Sequence, residues 1–396
     1  MTARPAAATE RNLLIQQLRG WAILSVLLAH FSLLNQVLAS LPWRVTNPGY
    51  LGVELFFVIS GFVVTRSLQA HGWGMRHFVV RRAFRLYPAI LVFLALCLVV
   101  WGATRGWEAD ALPRRLFGGE ASAFLRQAFG VLTGTLTFGY GPEPYVFAAM
   151  WSLTIEFQFY AALALLAAAL ALAGRQAATA RAVAWLAVLV VAGYQLARLP
   201  LLWGAPALGP RALLLWRFDF LAAGVLVALA PAGWRQRLAL ARPGLVAVLA
   251  VAVAMLALAG FRHPLAATAA GARNWLELLG YPFALLGFAW ALAAAAEAAD
   301  AGVGRTVLGR AMLWLGDRSY SLYLLHFPVL ALLWMALWLA APGVTNLPWS
   351  YAMVQAVLGG ALCCAAAAWC YRWVERPGIS LAGRLLRRGR ALSPAG

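Results

Sequence analysis

Two ionisable residues sit eleven positions apart in the stretch Gln17–Phe31. Arg19 opens an apolar run and His30 lies inside it, with no other titratable side chain between them. On a helix that separation is about 16 Å, roughly half the hydrocarbon core of a bilayer. It is also close to three full turns, so the guanidinium and the imidazole share a face. Ionisable groups at such depth are costly and as a rule face a bundle interior or a cavity. Glu54, Glu156 and His326 also fall in or at the edge of apolar runs. With His30 they suit a proton path, a substrate path or a group-transfer site. His30 could equally be a histidine that ties two helices together.

Other polar residues gather around these four. Glu54 and Ser60 belong to the run Gly52–Val64, where a carboxylate needs a partner or water. Ser60 and Gly61 are small enough for close helix approach. That run leads into Arg76–Pro88, in which Arg82 and Arg85 are i,i+3 neighbours with Arg81 beside them. Guanidinium forks suit phosphate, so this stretch is either a seat for a phosphorylated ligand or a contact with lipid headgroups. Glu156 and Tyr160 share a face at i,i+4, and Arg217 and Asp219 open a later run. The segment Asp317–Pro328 brings Ser319, Tyr320, Tyr323 and His326 into one stretch, and a last run ends in Glu375-Arg376-Pro377.

The elements that carry these residues follow from composition. The 396-residue chain is 63% hydrophobic and only 11% charged, with a mean hydropathy of +0.78. Soluble domains are nearer half apolar, and so few charges cannot cover a soluble protein of this size. The apolar runs are too long for barrel strands. An all-α, polytopic membrane bundle is predicted. In a soluble protein a net charge of +19 would suggest nucleic acid; here it reads as arginines facing anionic lipid, with no nucleic-acid partner. All 32 basic residues are arginine. The four cysteines show neither metal-ligand spacing nor a disulfide framework, so no metal is expected.

The hydropathy pattern predicts about ten spans, near 17–38, 50–66, 86–103, 151–173, 182–199, 213–230, 244–260, 275–294, 319–340 and 350–371. Roughly two-thirds of the arginines then fall on the side of the N terminus, which places both termini in the cytoplasm. Residues 104–150 form the longest outer segment; within it, 121–138 is apolar enough to dip into the membrane or even to add a span. No cleavable leader is expected, so the first span stays in the protein. The expected organisation is a short tail at 1–13, a transmembrane domain at 14–377 and a basic, lipid-facing tail at 378–396.

Taken together these stretches resemble the acyltransferase family 3 membrane proteins, which include bacterial O-antigen and exopolysaccharide O-acetyltransferases. The resemblance runs from about Leu14 to about Pro377. The family's arginine, ten residues, histidine pattern falls on Arg19 and His30. Its Phe-Phe-x-x-Ser-Gly-Phe falls on Phe56, Phe57, Ser60, Gly61 and Phe62, and its Arg-x-x-Arg on Arg82 and Arg85, followed by Pro88. Trp151, Ser152, Leu153, Glu156 and Tyr160 match a fourth pattern. Ser319, Tyr320, Tyr323 and His326 match a fifth, and Glu375, Arg376 and Pro377 the terminal one. Any one is weak, whereas six in the expected order are specific.

The resemblance implies a multi-pass protein of the bacterial inner membrane. Its activity would be transfer of an acyl group, usually acetyl, from cytoplasmic acyl-CoA to a hydroxyl of a glycan or lipid-linked sugar. His30, Glu156 and His326 become the catalytic candidates, His30 as base or as transient acyl carrier. Arg19, Arg82, Arg85, Ser60 and Tyr323 become the donor-binding candidates, the arginines for the phosphates of the acyl-CoA. Some members carry an appended hydrolase-like domain; none is expected here, so transfer would be completed alone or with a separate periplasmic or glycan-assembly partner. The competing class is a glycan or lipid transporter. Its marks would be inverted repeats or matching broken spans, and neither is found. An acceptor that is a lipid or a small secondary metabolite stays open within the enzyme class.

Overall fold

A computed structural model of the chain describes residues 12–34, 49, 51–108, 114, 117–136, 145–147, 149–203, 217–240, 278, 280–298, 302–340 and 349–391. Among the described residues all regular structure is helical. In chain order the helices are α1 (Leu13–Leu34), α2 (Leu51–Ala70), α3 (Met75–Ala103), α4 (Ala121–Thr133), α5 (Met150–Leu172), α6 (Thr179–Arg198) and α7 (Phe218–Leu229). There follow α8 (Ala232–Leu240), α9 (Tyr281–Glu297), α10 (Val307–Asp317), α11 (Ser319–Ala340), α12 (Trp349–Cys370) and α13 (Arg376–Ala391).

Among the described residues, seven stretches are long and apolar enough to cross a membrane: those of α1, α2, α3, α5, α6, α11 and the α12–α13 rod. The chain is an integral membrane protein by this measure. Two further expected spans fall on α7 and α9, which are 12 and 17 residues long. At 1.5 Å per residue α7 covers about 18 Å, short of a hydrocarbon core. The expected span at 244–260 lies outside the described residues. Within the 121–138 segment the described residues form the 13-residue α4, which ends at Gly134 with φ +70° and is too short to cross by itself. At the C-terminal end a turn of π-helix, Tyr371–Glu375, joins α12 to α13, so the expected boundary at 377/378 falls in the first turn of a helix.

Leucine and alanine favour helix throughout, and polar residues mark the starts. Asn12 Oδ1 accepts the amide of Ile15 at 2.8 Å at the head of α1, and Thr306 Oγ1 accepts that of Gly309 at 2.9 Å at the head of α10. Large apolar side chains remain exposed on the bundle, among them Leu91, Leu98 and Val99 of α3, Leu165 of α5 and Leu189 of α6. Such a surface suits lipid.

The centre of the bundle is α2, packed against α1, α7 and α9. Two glycines set the closest approach. A Cβ on Gly61 would strike the carbonyl oxygen of Leu221, and one on Gly224 that of Val58, so α2 and α7 meet backbone to backbone. Buried ion pairs reinforce this contact. Arg198 of α6 reaches Asp219 of α7 at 2.9 Å, and Arg217 lies 3.5 Å from Glu54 of α2. The Arg217 guanidinium also stacks 3.4 Å above the Tyr281 ring. Glu54, a candidate for chemistry in the sequence, is therefore part of the clamp between α2 and α7.

Candidate active site

The two histidines meet. His30 of α1 and His326 of α11 are buried, with Nδ1 of the first 2.8 Å from Nε2 of the second and their rings nearly parallel at 8°. Phe327 packs against both rings. The tautomers follow from the partners. Nδ1 of His326 faces two backbone carbonyls of its own helix, Tyr323 at 2.7 Å and Leu322 at 3.1 Å. Carbonyls only accept, so this nitrogen carries the proton. In a neutral pair Nε2 of His326 then accepts from Nδ1–H of His30, and Nε2 of His30 holds the lone pair. A helix-anchored imidazole thus fixes the tautomer and orientation of another.

A second group surrounds a cavity of about 90 Å³ between α1, α2, α3, α5 and α11, with Arg19, Ser60, Arg82, Arg85, Glu156 and Tyr323 among its walls. Tyr160 donates to Glu156 Oε2 at 3.0 Å and lies 2.5 Å from Ser60 Oγ. The Arg82 guanidinium sits 5.0 Å from the centre of the Tyr160 ring. This packing sets a cation, an aromatic face and a carboxylate side by side. Arg85 lies 3.8 Å from Glu375 Oε1, while Ser321 donates to Oε2 of the same carboxylate at 2.9 Å. The π-helical turn carries Glu375 to this position.

The structure thus divides the candidates. Arg19, Ser60, Arg82, Arg85, Glu156 and Tyr323 share one cavity, and neither histidine is among its lining residues. Glu156 is joined to Ser60 and Tyr160, whereas His326 holds Nδ1 of His30. Tyr323 links the two groups. It lines the cavity, donates to the Ala149 carbonyl at 2.6 Å, accepts from Ser152 at 2.6 Å, and its ring centre is 5.9 Å from that of His326.

A larger cavity of about 630 Å³ shares Arg19, Arg82 and Arg85 with the first and extends past Arg66, His71 and Arg81 to α13. The contact of Ser321 with Glu375, and the place of Arg66 and His71 on this cavity wall, were not legible in the sequence. For Glu375 the available signal was physical: a carboxylate between apolar residues and a string of arginines needs a cation.

Geometry and comparison point to one class, a polytopic membrane protein of the acyltransferase type. The chain belongs to acyltransferase family 3, since the family described as an acyltransferase domain matches residues 12–372. The provisionally named membrane-bound transacylase BcsY of Komagataeibacter xylinus is 34% identical over 157 residues, which are 39% of this chain and 36% of the relative. The provisionally named peptidoglycan O-acetyltransferase YrhL of Bacillus subtilis is 31% identical over 150 residues, 36% of this chain and 22% of the relative. Nodulation protein 10 of Rhizobium leguminosarum bv. viciae is 29% identical over 125 residues, 29% of this chain and 32% of the relative. The matched part is therefore a third or less of YrhL and nodulation protein 10, and little more than a third of BcsY. No solved structure matches the chain.

Proposed function

We propose that the protein transfers an acyl group, acetyl in the simplest case, from cytoplasmic acyl-CoA to a hydroxyl of a cell-surface or exported glycan. It would act in the bacterial inner membrane with both termini in the cytoplasm. The observation that carries this reading is the pairing of an oriented His30–His326 dyad with an arginine-lined cavity on the same helix, α1. The donor's phosphates sit at Arg82 and Arg85, with Arg19 below the arm. The arm runs along α1 toward His30, a rise of about 16 Å from Arg19, and passes Ser60 and Tyr323.

His30 Nε2 takes the proton of the acceptor hydroxyl. The hydroxyl oxygen forms a bond to the thioester carbonyl carbon, the carbon–sulfur bond breaks, and the CoA sulfur leaves with the proton that His30 returns. His326 acts by orienting His30. Glu156 balances Arg82 and anchors Tyr160, which shapes the wall on which the donor lies. A sugar acceptor fits the family and the name of YrhL, a peptidoglycan O-acetyltransferase.

The test is donor binding to protein in nanodiscs. Replacing Arg82 and Arg85 together by Ala should weaken acetyl-CoA binding at least tenfold while the protein stays monodisperse. Lysine at both positions should restore only part of the affinity, because it supplies a point charge in place of a fork. Unchanged affinity in the alanine variant would return the pair to the lipid interface.

A further inference from the structure

The larger cavity has a feature that the transfer chemistry does not use. Among the described residues, five arginines line it, Arg19, Arg66, Arg81, Arg82 and Arg85, and no carboxylate does. The cations form a gradient. Arg82 and Arg85 are half-buried at the inner end shared with the smaller cavity, whereas Arg66 and Arg81 are exposed at the outer end. The inner pair already has acidic neighbours, Glu375 against Arg85 and Glu156 near Arg82. Among the described residues no carboxylate lies within ion-pair distance of Arg66 or Arg81.

A lone surface arginine is ordinary. Two that line one wall of a cavity, with no acidic partner among the described residues, leave a local positive field that favours an anionic ligand. Beside them, His71 lines the same wall, and its orientation is fixed. Its Nδ1 donates to the Ser67 carbonyl at 2.8 Å, and its ring stacks on that of His77 with centres 4.1 Å apart. The sharp turn after α2 holds this arrangement, with Gly72 and Trp73 both at positive φ and Gln176 donating to the Gly72 carbonyl at 3.1 Å. The mouth therefore offers two guanidinium groups next to a rigid, flat imidazole.

We propose that Arg66, Arg81 and His71 form a second phosphate seat, one that recognises a phosphate monoester on the nucleotide end of the donor. This inference rests on the acyl-CoA reading and sharpens it. A pyrophosphate alone can be met by Arg82 and Arg85. A donor that ends in a 3′-phosphorylated nucleotide brings about −1.5 to −2 more charge at neutral pH, and the outer pair answers it. The protein would then select free CoA thioesters over acyl groups on a bare phosphopantetheine arm.

The experiment is a ligand series in nanodiscs of neutral lipid, which removes anionic headgroups as a competing source of phosphate. Acetyl-CoA, acetyl-3′-dephospho-CoA and acetyl-pantetheine are compared for binding, with adenosine 3′,5′-bisphosphate as a competitor. The wild-type protein should prefer acetyl-CoA to its dephospho form by about tenfold or more, the scale of a lost charge-assisted contact. In the Arg66→Gln, Arg81→Gln variant that preference should fall to within about twofold, with binding of the dephospho form unchanged. Wild-type affinities for the two that agree within twofold overturn the second seat, as does a variant that keeps the full preference. If no member of the series binds, the acyl-CoA reading itself fails. The wild-type series can overturn the seat by itself, so a variant that fails to fold does not shield the proposal.

Discussion

If His326 acts only through His30, the two should not be independent, and a double-mutant cycle reads this directly. Removing the His30 imidazole should lower acyl transfer by two to four orders of magnitude, the range for loss of a positioned base. His326→Ala removes the acceptor that lies 2.8 Å from His30 Nδ1. The buried donor left behind costs about 1–3 kcal/mol. At 1.4 kcal/mol per factor of ten that is roughly a 5- to 150-fold loss. The loss should fall on kcat, because neither histidine lines the cavity assigned to the donor. In a chain that already carries His30→Ala, His326→Ala should change the residual rate by less than about twofold. His326→Gln keeps a carbonyl able to accept from His30 and should recover part of the rate. The assay is release of CoA thiol, coupled to labelled acetyl on the glycan, with each variant checked for membrane level and monodispersity. Losses that multiply in the double variant would refute the orienting role. A His30→Ala protein with more than about a fifth of wild-type turnover would refute the base.

Three further outcomes are expected. Glu375→Gln should raise the donor KM about threefold to tenfold with little change in kcat, since the half-exposed Arg85 loses about 1 kcal/mol of positioning; an equal fall in kcat would point to a general packing defect. Gly61→Val should cost at least about 1–3 kcal/mol, because the new side chain meets the Leu221 carbonyl, and thermal unfolding in detergent should show it. Asp219→Asn removes the charge that Arg198 reaches at 2.9 Å in a buried pair and should destabilise by about 3–5 kcal/mol, while the protein that remains folded keeps its donor affinity.

What could be read from the sequence depended on whether a contact is local. The apolar runs gave α5 and α11 to within a residue, while α1 begins four residues before its expected span and α2 runs four residues past its own; Gly61 was recognisable as a close-approach site. Arg19 and His30 were placed on one face because that spacing is a property of a single helix. The His30–His326 contact was not derivable in this way, since α1 and α11 are joined only by tertiary packing. Glu54 was legible in part. Its burial was legible, but its partner Arg217 comes from a residue at positive φ just before α7, where no sequence pattern announces a salt bridge. The continuity of α3 back to Met75 was also hidden. The arginines there resemble an interfacial segment, yet the helix runs through Pro88 without interruption.

The buried and half-buried charges fall into two kinds, and the difference separates scaffold from site. Around α7 the charges are matched: Arg198 with Asp219, and Arg217 with Glu54 and the Tyr281 face. Matched, dehydrated pairs hold geometry and give a ligand little to bind, because each charge is already answered. Around the lower half of α1 and α2 the balance is broken, with five arginines on the cavity walls against Glu156 and Glu375. An excess of cations inside a membrane bundle is tolerable only where water or an anion can reach it. On the proposed reading, that excess of cations marks the place where a polyanionic donor enters. The hydrogen-bonded pair of imidazoles lies apart from that excess of cations, with His30 farther along α1 and His326 on α11.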